Sequence, residues 1–215
     1  MSSRVTEKNF ASRNRKLQSE FRRQQLIDAT IDCIDRLGLS QTTLARIAER
    51  AGLSQGNVVF HFHSKDALLE AALQFLTAEY SDNWHQAIDK AEHDTKAQLR
   101  ALVEASFAPR VFNRKKISVW FAFWGESRSR PQYMRICGAN DREFSARLLA
   151  LCEAIEARTG ARTSALTAAL SIEGTIDGLW QARLLGSGGM KRAQAIATLN
   201  ELINSIFPDS AQGKM

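Results

Sequence analysis

The chain has 215 residues, 44% of them hydrophobic, which is enough for one sizeable domain or two small ones around a core. Its net charge is +6, and the basic excess is concentrated in residues 1–65, which hold 11 Lys and Arg against 6 Asp and Glu. There is no run of eighteen apolar residues and no apolar leader, so we expect a cytoplasmic protein rather than a membrane-spanning or secreted one.

The composition favours an all-α fold of about nine helices. Only 3 prolines occur, Ala and Leu are abundant, and few stretches alternate apolar and polar residues as a half-buried strand does. Cys33, Cys137 and Cys152 are widely spaced and form no C-x-x-C pair, which is typical of buried small side chains. We expect no metal and no other cofactor, because the residues of the His61-x-His63 pair point to different sides of a helix.

Residues 1–19 are polar and basic with little periodicity, and we expect a basic, flexible arm there. Such an arm suits either the backbone or minor groove of a nucleic acid, or simply a solvated tail. The first apolar periodicity runs from Leu26 to Leu37 and predicts a helix that ends at Gly38.

Residues 42–65 predict a helix-turn-helix, followed by the start of another helix. Gly52 is the turn residue, and Ser54 caps a second helix expected from Gln55 to about His61. In such a motif the second helix enters the DNA major groove with its first residues against the base edges. The basic excess around it suits a phosphate backbone. The alternative is an ordinary helical hairpin in a core.

Ser64 caps the next helix, predicted over 66–88, which would connect the N-terminal part to the rest. Further helices are predicted at roughly 97–108, 115–128, 132–158, 163–185 and 190–206. The boundary between the two parts is expected within the fourth helix, near residues 66–70, without a flexible linker.

Aromatic residues are concentrated in the C-terminal part. Trp120, Phe123 and Trp124 share one helix face, and Trp180 follows Asp177 by one turn on a later helix. Aromatic faces hold quaternary ammonium groups, and a nearby carboxylate adds charge pairing. The candidate carboxylates are Glu104, Glu126, Glu173 and Asp177. The alternative is that this aromatic stripe is ordinary core packing.

Residues 23–69 resemble the TetR-type bacterial transcriptional repressors. The matching residues include Leu26-Ile27-Asp28-Ala29, Leu37-Gly38, Thr43, Ile47-Ala48, Ala51-Gly52-Leu53-Ser54, Gly56, Phe62, Lys65 and Leu68-Leu69. The C-terminal part is similar to the BetI group of that family, which controls choline-to-betaine synthesis and responds to choline. The matching strings there are Trp120-Phe121-Ala122-Phe123-Trp124 and Ile176-Asp177-Gly178-Leu179-Trp180.

The resemblance implies a set of DNA contacts. It assigns base contacts to Ala45, Arg46, Gln55, Gly56, Asn57 and Val59, and phosphate contacts to Thr43, Ser54, His61 and Lys65. Gln and Asn can bond bidentately to adenine in the major groove. Most members carry tyrosine where this chain has Val59, and valine lacks the hydroxyl that meets a phosphate there. His61 would replace that contact, or Val59 would touch a thymine methyl.

The resemblance also implies the domain organisation: a DNA-binding domain of three helices over 20–66, and a helical ligand-binding and dimerisation domain over 67–208. The expected pocket comprises Phe107, Trp120, Phe123, Trp124, Glu173, Asp177 and Trp180. The expected dimer interface comprises Leu166, Leu170, Ile196, Leu199 and Ile203. A homodimer would present two recognition helices about 34–36 Å apart and read a pseudo-palindromic operator.

The predicted function is therefore a cytoplasmic, ligand-responsive repressor, located at the nucleoid when bound. A small effector, choline or another quaternary amine, would release it from its operator. Two alternatives stay open: a TetR-type regulator with an apolar or aromatic effector, and a helical adaptor. The chain contains no G-x-S-x-G, P-loop or H-E-x-x-H motif, so we do not expect an enzyme.

Overall fold

The computed structural model describes residues 2–91, 94–161, 163–186 and 189–208, with side chains from residue 13 onward. Within these ranges the chain forms nine helices and no strand, which confirms the all-α prediction. The helices are α1 (Ser2–Gln41), α2 (Leu44–Ala51), α3 (Gln55–Phe62), α4 (Lys65–Lys90), α5 (Thr95–Ala105), α6 (Arg114–Glu126), α7 (Pro131–Thr159), α8 (Ala165–Leu185) and α9 (Arg192–Ile206). None of the described helices is apolar over a length that would cross a bilayer.

The start of the chain differs from the expectation. Residues 1–19 were expected to form a flexible arm, but α1 begins at Ser2 and continues without a break to Gly38. No proline or glycine interrupts residues 2–37, so nothing in this polar segment stops a helix that is already nucleated further along. The basic segment is therefore a helical extension of α1.

Local signals set the turns of the N-terminal part. Gly38 and Gly52 adopt φ of 75° and 64°, the left-handed region that suits glycine, and they interrupt α1 and end α2 respectively. The side chains of Thr43, Ser54 and Ser64 accept hydrogen bonds from the first turns of α2, α3 and α4. The predicted caps at Ser54 and Ser64 are thereby confirmed.

The N-terminal helices share a core with the rest of the molecule. Leu26, Ile34, Ile47 and Val58 are fully buried or nearly so, and the same apolar cluster continues through Leu68 on α4 into the C-terminal helices. Helix α1 packs against α6 as well as against α2 and α4. The two parts are therefore in direct contact along α6 and not only through α4.

The expected dimer residues divide into two groups. Leu166 and Leu170 on α8 are 58% and 61% exposed, so they are available to a partner. Leu199 and Ile203 on α9 are fully buried, and this corrects their assignment to the interface. Helix α9 packs against both α5 and α8, which turns this face into the subunit's own core. Ile196 is half-buried.

Candidate DNA-binding surface and ligand cavity

Helix α3 has one buried side and one exposed side. Val58 and Phe62 are 0% and 4% exposed and pack into the core. The exposed residues are Gln55, Gly56, Asn57, Val59 and Phe60. A short helix held by one apolar edge and presenting the rest to solvent has the geometry of a major-groove reader.

Two of the predicted base contacts are hydrogen-bonded within the chain. The Arg46 guanidinium on α2 donates to the Gln41 carbonyl at 2.5 Å and to the Gln41 side chain at 3.2 Å. The Asn57 amide donates to the Ser54 hydroxyl at 2.9 Å. The Asn57 side-chain oxygen can still accept from a base, and its amide has a second N–H besides the one given to Ser54. Ala45, like Arg46, is exposed on α2.

The predicted phosphate contacts surround the same surface. Thr43 and Ser54 are exposed, and each uses its side-chain oxygen to cap a helix. The Lys65 ammonium lies 3.4 Å from the Leu39 carbonyl and is half-buried. His61 is also half-buried.

Arg23 fixes the end of α3 to α1. Its guanidinium donates to the His61 carbonyl at 2.7 Å and lies 4.2 Å from the centre of the Phe62 ring. Loss of hydration, together with the charges of Arg23 and Arg22, lowers the pKa of His61. The lowered pKa favours the uncharged imidazole, whose approach to a phosphate would rely on N–H donation more than on charge.

Sequence reasoning missed Phe60. Its side chain is 74% exposed, more than any other large apolar side chain in the described part of the protein. It lies one turn after Gly56 on the side opposite Val58 and Phe62. The signal was present in the sequence: once Val58 and Phe62 face the core, helical geometry turns position 60 outward.

A cavity of about 260 Å³ lies within the C-terminal helices. Its lining combines five aromatic rings, three carboxylates, an amide and one aliphatic side chain: Tyr80, Trp120, Trp124, Asn140, Asp141, Phe144, Glu173, Ile176, Asp177 and Trp180. Helices α4 and α6 contribute only rings, while α7 and α8 contribute all three carboxylates.

Five of the seven predicted pocket residues lie around this cavity: Trp120, Trp124, Glu173, Asp177 and Trp180. Phe107 and Phe123 do not, and this corrects their assignment. Both are 0% exposed, and they pack edge-to-face against Phe112 and Tyr133, with ring centres 4.9 and 5.0 Å apart. Phe123 is offset from Trp124 by about 100° around α6, and its ring packs against Tyr133 instead of lining the cavity.

Tyr80, Asn140, Asp141 and Phe144 line the cavity but were not predicted. They lie on α4 and α7. On these helices the spacing of aromatic and acidic residues does not distinguish those that line the cavity from those in the core. Asn140, Asp141 and Phe144 are at i, i+1 and i+4, so they belong to one side of α7.

Ser106, at the end of α5, holds two of the cavity rings. Its hydroxyl shares a hydrogen bond of 2.9 Å with the Tyr80 hydroxyl, and its carbonyl accepts from the Trp180 indole N–H at 3.0 Å. The two rings meet edge-to-face with centres 5.8 Å apart. One fully buried residue thus fixes rings from α4 and α8 in a defined orientation.

Asp141 and Asp177 are exposed at the mouth of the cavity, and Glu173 is half-buried. Loss of hydration, with the nearby charges of Asp177 and Glu173, raises the pKa of Asp141 to about 6. The same effect, with the charge of Glu173, raises the pKa of Asp177. The Ser145 hydroxyl donates to Glu173 at 2.6 Å. A bound cation would relieve the repulsion among these groups.

The other two candidate carboxylates are bonded elsewhere. Glu104 accepts from the Asn200 amide at 3.3 Å, and Glu126 accepts from the Ser129 hydroxyl at 3.0 Å. Neither lines the cavity.

Ion pairs connect the cavity helices to the N-terminal part. At the start of α6, Lys115 lies 2.7 Å from Asp32 on α1, and Arg50 on α2 lies 2.6 Å from the other Asp32 oxygen. Arg130, before α7, lies 2.9 Å from Asp66 on α4. Trp120 and Trp124 are on the same helix as Lys115, so a displacement at the rings has a direct path to α1 and α2.

Two family models match the chain. The model for bacterial regulatory proteins of the tetR family matches residues 26–72, and the model for the C-terminal part of BetI-type transcriptional repressors matches residues 95–208. Among curated relatives, the HTH-type transcriptional regulator BetI of Paraburkholderia xenovorans is 35% identical over 188 residues, or 87% of this chain and 94% of that protein. Its namesake from Serratia proteamaculans is 33% identical, covering 85% and 90%.

Solved structures show the same architecture. A transcriptional regulator from Pseudomonas aeruginosa matches with a TM-score of 0.76 at 28% identity, covering 86% of this chain and 90% of that one. A regulator from Saccharomonospora viridis, solved in complex with choline, matches with a TM-score of 0.74 at 23% identity, covering 85% and 95%. At that identity the second match supports the fold alone.

Proposed function

Because this chain belongs to the TetR family and carries a BetI-type C-terminal domain, we propose that its dimer is released from an operator by an organic cation. The chain is a ligand-responsive, DNA-binding repressor. The proposal concerns the class of effector, the operator contacts and the way the two are coupled. It includes no catalytic role.

The observation that carries the cation proposal is the composition of the cavity. Five rings and three carboxylates surround one space, and the ten lining residues include no Lys or Arg. Aromatic faces attract cations, and carboxylates pair with them, whereas an anionic or purely apolar effector would leave the carboxylates unbalanced. Choline is the first candidate, since the S. viridis regulator was solved with it.

The operator contacts proposed for this chain combine the exposed residues of α2 and α3. Gln55 and Asn57 donate to or accept from base edges in the major groove. Val59 and Phe60, both exposed and apolar, make van der Waals contact with thymine methyls or deoxyribose. Lys65, beside the Leu39 carbonyl, would contact a phosphate and leave that carbonyl to water.

The dimer would form through α8, where Leu166 and Leu170 are exposed one turn apart. Two copies joined there would present two copies of α3 to successive major grooves of a pseudo-palindrome, about 34–36 Å apart. We place this assembly in the cytoplasm, at the nucleoid when bound to DNA.

Release would follow from differential affinity. The cation would bind better to a conformation in which α4 and α6 hold the two DNA-binding units at the wrong separation. Tyr80 lies on α4, and Trp120 and Trp124 lie on α6. Helix α4 packs against α1 and α3, and α6 packs against α1, so α1 and α3 would move with the cavity rings.

The test uses the purified full chain and fluorescent duplexes from its own upstream region. We expect binding that weakens steeply as salt rises and is reversed by choline but not by an equal concentration of betaine, whose carboxylate the cavity repels. Absence of binding to every fragment at low salt would overturn the repressor proposal. Release by an uncharged aromatic compound, with no response to cations, would instead favour a regulator of another pathway.

A further inference from the structure

The cavity carries more negative charge than a singly charged effector would balance. Asp141, Glu173 and Asp177 all line it, and no Lys, Arg or His does so in the described ranges. Arg142, adjacent to Asp141 on α7, offsets part of that charge from outside the lining. A monocation against the rings would balance only one of these three charges.

Asn140 is a second, independent sign of an absent group. It is 9% exposed and lines the cavity. Its amide hydrogen-bonds to Asp141, whereas its side-chain oxygen is buried, has no partner among the described residues and must turn to meet a group in the cavity. A buried acceptor without a donor is unfavourable, so an occupant that supplies one is favoured.

These groups also limit the chemistry of that occupant. Carboxylates and an amide oxygen are all acceptors, so the group bound there must donate hydrogen bonds. A quaternary ammonium has no N–H, so in choline only the single hydroxyl could donate to Asn140. A primary ammonium has three N–H donors and a secondary ammonium has two. Each also carries the positive charge that Asp141 and Glu173 require.

We propose that the preferred effector is an organic dication of the diamine class. One ammonium lies against the tryptophan rings, and the second donates to the Asn140 oxygen and to the Asp141 and Glu173 carboxylates. This inference rests on the proposed function, because it takes the cavity as the effector site, and it replaces choline by a doubly charged ligand. The raised pKa of Asp141 and of Asp177, caused first by burial and then by the charges of the neighbouring carboxylates, agrees with this placement.

The experiment compares putrescine with butylamine, which has the same four-carbon chain and only one ammonium. Isothermal titration at constant ionic strength should give a dissociation constant for putrescine about tenfold lower than for butylamine. The dissociation constant for choline should be close to that for butylamine. In parallel, each compound is added to the protein–operator complex, and release is followed by fluorescence anisotropy.

Two variants test the assigned residues. Asp141→Asn removes one charge at the partly exposed cavity mouth, and Asn140→Leu removes the unpartnered oxygen while keeping the volume. Each should reduce the putrescine preference several-fold, to about threefold or less. Glu153→Gln, also on α7 but outside the lining, is the matched control and should keep the full preference.

The outcomes separate the two proposals. If choline or butylamine releases the operator and putrescine binds no better, the dication proposal is wrong and the cation-released repressor stands. A putrescine preference that persists undiminished in Asp141→Asn and Asn140→Leu also overturns it. If the protein binds its operator but none of these cations, the cation proposal and this inference fail together. A tenfold preference lost in both variants supports the inference.

Discussion

Replacing Asp32 by asparagine tests the connection between α6 and the DNA-binding helices. Asp32 lies on α1 and accepts from Arg50 on α2 through two nitrogens, at 3.0 and 2.6 Å, and from Lys115 on α6 at 2.7 Å. Asparagine keeps the shape of the side chain but removes its charge and one acceptor oxygen. The three helices would then lose their common anion.

The magnitude follows from burial. A hydrogen bond to a charged group contributes about 1.5–3 kcal/mol when shielded. Here the Asp32 side chain is 22% exposed, but Arg50 and Lys115 are 41% and 49% exposed, so water screens much of the attraction. We expect Asp32→Asn to lower the free energy of unfolding by about 1–2 kcal/mol, which for a chain of this length lowers Tm by about 2–8 °C.

The pH dependence gives the sign. Burial acts to raise the pKa of Asp32, but the hydrogen bonds from Lys115 and Arg50 outweigh it and leave the pKa lowered. A carboxyl with a depressed folded pKa stabilises the protein above its unfolded pKa of about 3.9, and that stability is lost as pH falls through the folded pKa. The difference between wild type and Asp32→Asn should therefore be full at neutral pH and shrink below about pH 4.

Thermal unfolding measures the stability, and effector titration of the operator complex measures the coupling. The Asp32→Asn variant should require more effector for half-release, because α6 would no longer be joined to α1 and α2 through the Asp32 carboxylate. Glu20→Gln is the control: the Lys16–Glu20 pair is 4.0 Å long and 80% and 59% exposed, and its loss should change neither quantity. Unchanged Tm and unchanged half-release in Asp32→Asn would refute the proposed connection.

Four further outcomes are expected. Gln55→Ala and Asn57→Ala should cost about 1–3 kcal/mol at one base pair each and relax preference there in an operator selection, with Tm retained; a selection identical to wild type would remove the residue from the base contacts. Lys65→Ala should weaken binding to all DNA sequences alike and reduce the slope of log affinity against log salt concentration by about 1, measured by anisotropy. A loss of affinity confined to one operator would argue against a phosphate contact. Trp180→Phe should keep operator binding and blunt effector release, because Ser106 loses its indole donor. Leu170→Glu should shift the dimer towards monomer in sedimentation, and an unchanged mass would place the interface elsewhere.

The sequence was sufficient where the signal is local. Gly38, Gly52, Ser54 and Ser64 act within a few residues of their own position, through φ or through a cap, and the structure has each where the sequence predicts it. The α1 extension gave no such signal. A polar helix without an apolar face has no hydrophobic periodicity, so the sequence alone does not distinguish it from a disordered segment.

The cavity could be predicted only in part, because its membership depends on which buried faces leave a gap. Phe123 and Trp124 are adjacent on α6, yet one fills the core and the other lines the cavity. The same applies to α8 and α9: both are rich in apolar residues, but periodicity does not say that Leu199 turns inward while Leu170 faces out. Both distinctions depend on tertiary packing between helices distant in sequence.

The Asp32, Arg50 and Lys115 cluster limits how freely the N-terminal unit can be exchanged between regulators. Two of its members lie in residues 1–66 and the third is on α6, far along the chain. A chimaera that fuses a foreign operator-reading unit to this sensor would leave Lys115 facing an unmatched surface. Rewiring this protein to a new promoter would require grafting the α6 partner together with the reading unit, or transplanting only the exposed side chains of α3.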